Sequence, residues 1–274
     1  MLKEREEIKA ATVAASELRR GELPALVAAE EARAAAEAAR MAKVAMAAAT
    51  VAKRNAERCP GMAFIAGTGP DGFVQDKNAR VTMYVPDVCL DLTEVTVAAY
   101  QQCVDSGNCT RSMSSVIAGC NWGEADRQSH PVNCVTYAQA SAYCTSVGKR
   151  LPGHSEWQWA ARGREEGREY PWGSDAPNCT RAVMRDSTGA CGADGTRPVG
   201  SLPQGNSRDG LQDMSGNVRE WTSTLANSVD LFTPAGSFRD TAADRFRVTS
   251  QATQDPSRFR ATVGFRCARS LAAP

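Results

Sequence analysis

Leu211-Gln212-Asp213-Met214-Ser215-Gly216-Asn217-Val218-Arg219-Glu220-Trp221-Thr222 carries more structural information than any other run in this chain. Asp213 and Glu220 place hard carboxylate oxygens at opposite ends of a turn. Gly216 and Asn217 are residue types that accept a positive φ, which aims backbone carbonyls inward between those carboxylates. Calcium takes about six to eight such oxygens from a flexible loop. The run is therefore a candidate calcium loop. The alternative is a tight turn in which Asp and Glu cap backbone amides.

Outward from this loop, everything beyond Cys59-Pro60-Gly61 shares one character: short β-rich runs, Gly/Pro/Asn/Asp punctuation and all five tryptophans. Met62-Ala63-Phe64-Ile65, Val81 to Val85 and Cys89 to Val95 read as strands. A short helix follows from Thr96 through Val104. Thr136 reads as the N-cap of a second helix carrying Ala140, Tyr143 and Cys144 and ending at Gly148. Glu156 to Arg162 forms a third, and the tail from Arg208 is turns and strands. The fold class is thus α+β, irregular and loop-rich. Short elements between long loops are marginal without cross-links. The chain supplies ten cysteines, an even number. None falls in a C-x-x-C pair, which argues against zinc ribbons and thioredoxin-like motifs and for disulfides formed in an oxidising compartment.

Residues 1–57 differ. Ala, Glu, Lys and Arg dominate, all strong helix formers. Gly21 and Pro24 predict a break, with a helix to about Arg20 and a longer one from about Leu23. Ile8, Val13, Leu18, Leu26, Val27, Met41, Val44, Met46 and Val51 make a thin apolar seam with alanine between them. Such a seam suits a stalk or coiled-coil-like self-association; the alternative is a solvated helix without a partner. Met1 to Glu7 has mixed charge and no apolar run behind it, so no signal peptide is visible. No stretch of about 18 apolar residues offers a membrane span.

A net charge of +1 gives no electrostatic attraction to nucleic acid or an anionic membrane, and no basic stripe interleaves with aromatics. There is no Gly-x-Ser-x-Gly elbow, P-loop or dinucleotide fingerprint.

Further segments accompany the loop: Thr93-Glu94-Val95-Thr96, His130-Pro131-Val132-Asn133-Cys134-Val135-Thr136-Tyr137, and Ala142-Tyr143-Cys144 through Gly148-Lys149-Arg150-Leu151-Pro152 to Glu156-Trp157. Tyr170-Pro171-Trp172-Gly173 comes before it; Gly236-Ser237-Phe238 and Val263-Gly264-Phe265-Arg266-Cys267-Ala268-Arg269 come after. In this order and spacing they resemble the formylglycine-generating, sulfatase-modifying-factor family over residues 60–270. The resemblance implies the family's C-type-lectin-like fold for a domain over residues 58–274, with the helical segment 1–57 outside it. It implies calcium held by the side chains of Asp213 and Glu220 and the carbonyls of Gly216 and Val218. A second calcium site would involve Asn178 and Asp194. It also implies a disulfide between Cys144 and Cys267; closing so long a loop contributes on the order of 4 kcal/mol in the chain-entropy description. Cys179 and Cys191 are a local pair across one loop. Cys59, Cys89, Cys103, Cys109, Cys120 and Cys134 have no assigned partners.

The family's activity is the oxidation of a substrate cysteine by copper held on two thiolates, which sit just after the Gly-Ser-Phe turn. Here the aligned positions are Asp240 and Arg245, which cannot replace a copper bis-thiolate, so no copper is expected. His130 and His154 read as ordinary surface or loop histidines. Asp240, Arg245, Arg247, Arg258 and Arg260 would surround the family's substrate groove and offer charge to a peptide, protein or glycan. The five tryptophans read as core pillars. The resulting expectation is a non-catalytic, calcium-stabilised binding or sensory module displayed outside the cytoplasm. Two alternatives stand beside it: an oxidoreductase on the same fold with a different metal site, and a lectin-like receptor with a diversified groove.

Overall fold

The computed structural model describes residues 2–74, 82–113, 117–186, 191 and 195–271. The chain divides into two compact units, Met1–Asn55 and Ala56–Pro274.

The first unit belongs to one helix, α1 (Leu2–Arg58), of 57 residues, about 85 Å at 1.5 Å per residue. The break predicted at Gly21 and Pro24 does not occur. A proline inside a helix removes one backbone donor and crowds the carbonyl four residues back. Strong helix formers continue on both sides here, and the helix runs through. Among its described side chains Val13, Val27, Met41, Val44 and Met46 are exposed.

The second unit is assembled from short pieces. β1 (Met62–Ile65), β4 (Val88–Asp91) and β9 (Ala268–Ser270) form an antiparallel sheet in the order β1-β4-β9, pairing Ala63 with Leu90 and Leu90 with Ala268. The end of the chain thus lies beside the domain's first strands. β2 (Phe73–Val74) and β3 (Thr82–Met83) make a small ribbon; Val81 lies outside the described residues. β5 (Arg219–Glu220) pairs in parallel with β8 (Val263–Gly264), and β6 (Leu231–Pro234) pairs antiparallel with β7 (Gln251–Gln254). The strand expected to reach Val95 ends at Asp91, where the side chain turns to accept from Lys149 and from the Cys267 amide.

Helix starts follow their caps. Thr96 accepts from the Ala99 amide to open α2 (Val97–Asp105), and Thr136 forms a reciprocal box with Gln139 to open α3 (Tyr137–Ser146). α4 (His154–Ala161) begins earlier than expected because Glu156 accepts from the Gly153 amide at 2.7 Å.

Four of the five tryptophans are buried pillars, and Trp172 is partly exposed, stacked on Tyr170. Three of the buried indole N–H groups find acceptors: Trp221 on Val135 O, Trp159 on Ala66 O and Trp157 on Glu220 Oε2. All ten cysteines pair, as Cys59–Cys89, Cys103–Cys109, Cys120–Cys134, Cys144–Cys267 and Cys179–Cys191.

One polar contact ties these pieces together. Arg266 is 0% exposed and Glu220 is 1% exposed. Arg266 Nε and Nη2 donate to the Glu220 carboxylate at 2.7–3.0 Å. Nη2 also reaches Gln212 O, and Nη1 reaches Asp91 O and Leu92 O. One guanidinium therefore ties together the C-terminal end of β4, the loop before β5 and β5 itself. Removing one partner of a buried ion pair costs about 3–5 kcal/mol, because the other charge is left uncompensated. Arg266→Leu should lose that much in chemical denaturation, and Arg266→Leu with Glu220→Leu should recover part of it.

Candidate functional site

The run from Asp213 to Glu220 is a loop whose backbone repeatedly enters the left-handed region: φ is +54° at Asp213, +96° at Gly216 and +56° at Asn217. Gly216 also lies against Val183, where a Cβ would sit 2.8 Å from the carbonyl oxygen. Asn217 holds the loop from inside. Its amide donates to Val183 O, its Oδ1 accepts from the Arg197 amide, and its carbonyl accepts from the Phe238 amide. Asn combines tolerance of positive φ with these side-chain bonds, so alanine would lose both.

The carboxylates in and around the loop are buried beyond what one arginine neutralises. Asp213 Oδ2 accepts from the Gly200 amide at 2.6 Å. Glu220 is fully engaged: Oε1 takes two contacts from Arg266, and Oε2 takes one from Arg266 and one from Trp157. Glu94 is 1% exposed, its carboxyl meets that of Asp213, and neither of its oxygens has any other hydrogen-bond partner among the described residues. Burial, then the charge of Asp213, pushes the Glu94 carboxyl well above its ordinary range. Burial raises Asp213 as well. Two carboxylates in contact need a proton or a cation between them. Glu94 had no assigned role in the sequence, although an acid inside the apolar run Cys89 to Val95 was the available signal.

A second feature is the turn after β6. Asp240 Oδ2 accepts from the Ser237 amide at 2.8 Å, from Ser237 Oγ at 2.7 Å and from Arg219 Nη2 at 2.9 Å. Arg219 also donates to Ala235 O, where φ is +62°. Asp240 thus closes its own turn and anchors it to β5. The other groove candidates do not converge. Arg247 pairs with Glu169, Arg258 with Asp255, and Arg260 donates to Gln254. Arg245, in the 3₁₀ turn Ala243–Phe246, is exposed. Asn178 spends its side-chain oxygen on the Thr180 amide and hydroxyl, and Asp194 lies outside the described residues.

The histidines are not surface residues. His130 is buried with Nδ1 2.9 Å from Thr196 Oγ1. His154 is 3% exposed, stacked on Phe232 at 4.4 Å, and neither ring nitrogen has a partner among the described residues. Burial drops its pKa to about 4 from 6.5. The folded ring stays neutral where the unfolded ring has taken a proton. Stability from this site is therefore complete above pH 6.5 and falls as pH drops toward 4, by on the order of 3 kcal/mol. Urea denaturation at pH 7 and pH 4.5 should show His154→Phe losing less stability on acidification than the unaltered protein.

The fold and site define a disulfide-braced, loop-rich α+β domain built around a buried acid–arginine cluster. Residues 47–271 match the sulfatase-modifying factor enzyme 1-like domain, and the chain belongs to that family. It is 36% identical over 169 residues to the inactive C-alpha-formylglycine-generating enzyme 2 of Bos taurus, covering 57% of this chain and 56% of that protein. It is 32% identical over 186 residues to the formylglycine-generating enzyme of Mus musculus, covering 56% and 50%. The chain thus spans about half the length of these curated relatives. Among solved structures, CarF superposes with a TM-score of 0.58 at 22% identity, over 77% of this chain and 98% of CarF. PvdO from Pseudomonas aeruginosa gives 0.56 at 20% identity, over 77% and 92%. These two share the fold.

Proposed function

We propose that this protein is a non-catalytic, calcium-stabilised binding or sensory module that works outside the cytoplasm. The observation that carries the non-catalytic reading is the state of Asp240. It stands at the position of the family's first copper-binding cysteine, and its carboxylate is committed to Ser237 and Arg219. An ion-paired carboxylate and an exposed Arg245 offer copper(I) none of the soft sulfur it requires. The similarity to a relative named as inactive supports the same reading. Five disulfides support an oxidising compartment; no described helix is long and apolar enough to cross a membrane.

Calcium is supported by the chemistry of the loop. The expected ligands are Asp213, Glu220 and the carbonyls of Gly216 and Val218. Asp213 fits, and Glu94 against it adds buried negative charge that a divalent cation would neutralise. Glu220 fits less well, since Arg266 and Trp157 occupy both its oxygens and one such bond would have to yield. The ligand expected at the groove is a peptide, protein or glycan, with Arg245 open to contact it. The helical segment remains a candidate for self-association.

Thermal melts with calcium or with a chelator test this account. Calcium at about 100 times its dissociation constant adds about 2.7 kcal/mol, so Tm should rise by several degrees, and Asp213→Asn should abolish the rise. An unchanged Tm in the unaltered protein would mean that a shared proton, rather than calcium, balances Glu94 and Asp213.

A further inference from the structure

Four of the five disulfides lie in the core: Cys59, Cys89, Cys103, Cys109, Cys120, Cys134, Cys144 and Cys267 are all buried. Cys179 and Cys191 differ in being only partly buried, with Cys191 at the margin of the small cluster around Tyr170 and Phe246. A thiol reductant must approach a disulfide sulfur directly, so access decides which bond opens first. This disulfide spans only 12 positions and closes one local loop. Opening it leaves the four core cross-links in place.

A carboxylate lies beside it. Asp186 Oδ2 lies 3.4 Å from Cys179 Sγ. Among the described residues, Cys179, Asp186 and Cys191 form the one group of three His, Cys, Asp or Glu side chains whose ligand atoms all fall within 4.8 Å of one another. In the oxidised protein the sulfurs are bonded to each other and bind nothing. Reduced, they become two thiolate donors on a short tether with a carboxylate within reach. Two sulfurs and one oxygen suit a borderline-soft divalent cation, with solvent completing a tetrahedral shell. Hard calcium is the wrong ion for such a set.

We propose that Cys179–Cys191 is a redox-gated metal site, which takes zinc on both sulfurs and Asp186 once a dithiol opens the disulfide. The dithiol gives two electrons, its own sulfurs join as a disulfide, and its two protons go to Cys179 and Cys191. Zinc then displaces both thiol protons as it binds. The proposal stands independently of the calcium loop and of the closed turn at Asp240.

The test has two stages on the full chain. Graded dithiothreitol followed by alkylation and mass spectrometry should label Cys179 and Cys191 before any cysteine of the other four disulfides. The singly reduced protein should then take one equivalent of cobalt(II), used as a zinc probe, with thiolate-to-metal charge-transfer absorption that zinc abolishes. Cys179→Ser with Cys191→Ser should lose the absorption while keeping the circular dichroism of the folded domain. Asp186→Asn should weaken cobalt binding by about tenfold, the loss of one charged ligand. Simultaneous labelling of core cysteines, a singly reduced protein without thiolate absorption, or equal cobalt binding by the oxidised protein would each overturn the proposal. An unchanged affinity in Asp186→Asn would remove the third ligand and overturn the assignment as stated.

Discussion

The buried pairing of Arg266 with Glu220 is the constraint on which the rest of the domain depends. Among the described residues the second unit has no long strand and no large sheet, and its short pieces are held together at their ends. One guanidinium with a planar fork of donors meets three backbone carbonyls, at the end of β4 and in the loop before β5, and a carboxylate at once. A lysine in that place offers a point charge and fewer fixed directions, so the substitution would not be conservative. The Cys144–Cys267 disulfide, at the residue next to Arg266, fixes the segment between β8 and β9 to α3 across a separation of 123 residues. Covalent and ionic cross-links thus converge on one short terminal segment.

That arrangement has an electrostatic consequence. Arg266 neutralises Glu220, and Glu94 and Asp213 remain as buried acids in contact. A core of this kind is stable only with something positive added, whether a proton or a metal ion. The loop that carries Asp213 also carries Asn217, whose carbonyl holds Phe238 in the turn closed by Asp240. The loop that carries the buried Asp213 and the turn closed by Asp240 are therefore one connected structure. Asp240 and Arg219 give that turn a second internal anchor and leave it no sulfur.

Much of this was legible in the sequence because it is local. Thr96 and Thr136 announce helix starts by a side-chain oxygen placed before a helical run, and the apolar run Met62 to Ile65 forms the strand it predicts. The family could be read because several separated segments keep their order. What stayed hidden depends on contacts between distant residues. Nothing near Glu94 in sequence says that Asp213 will lie against it. The partners of Cys59, Cys103 and Cys120 are set by the folded path. His154 reads as an ordinary surface or loop histidine, yet the ring is buried and stacks on Phe232. Gly21 and Pro24 misled in the opposite direction: local punctuation was overridden by the helix formers around it.

The central claim is that the turn at Asp240 has lost the family's copper chemistry and serves a binding role. It is tested most directly by incubating the oxidised protein with a cysteine-containing peptide and copper and measuring formylglycine in the peptide by mass spectrometry. The account predicts no conversion above the copper-only control. Turnover with stoichiometric copper bound would contradict it, and would place an oxidase site elsewhere on this fold.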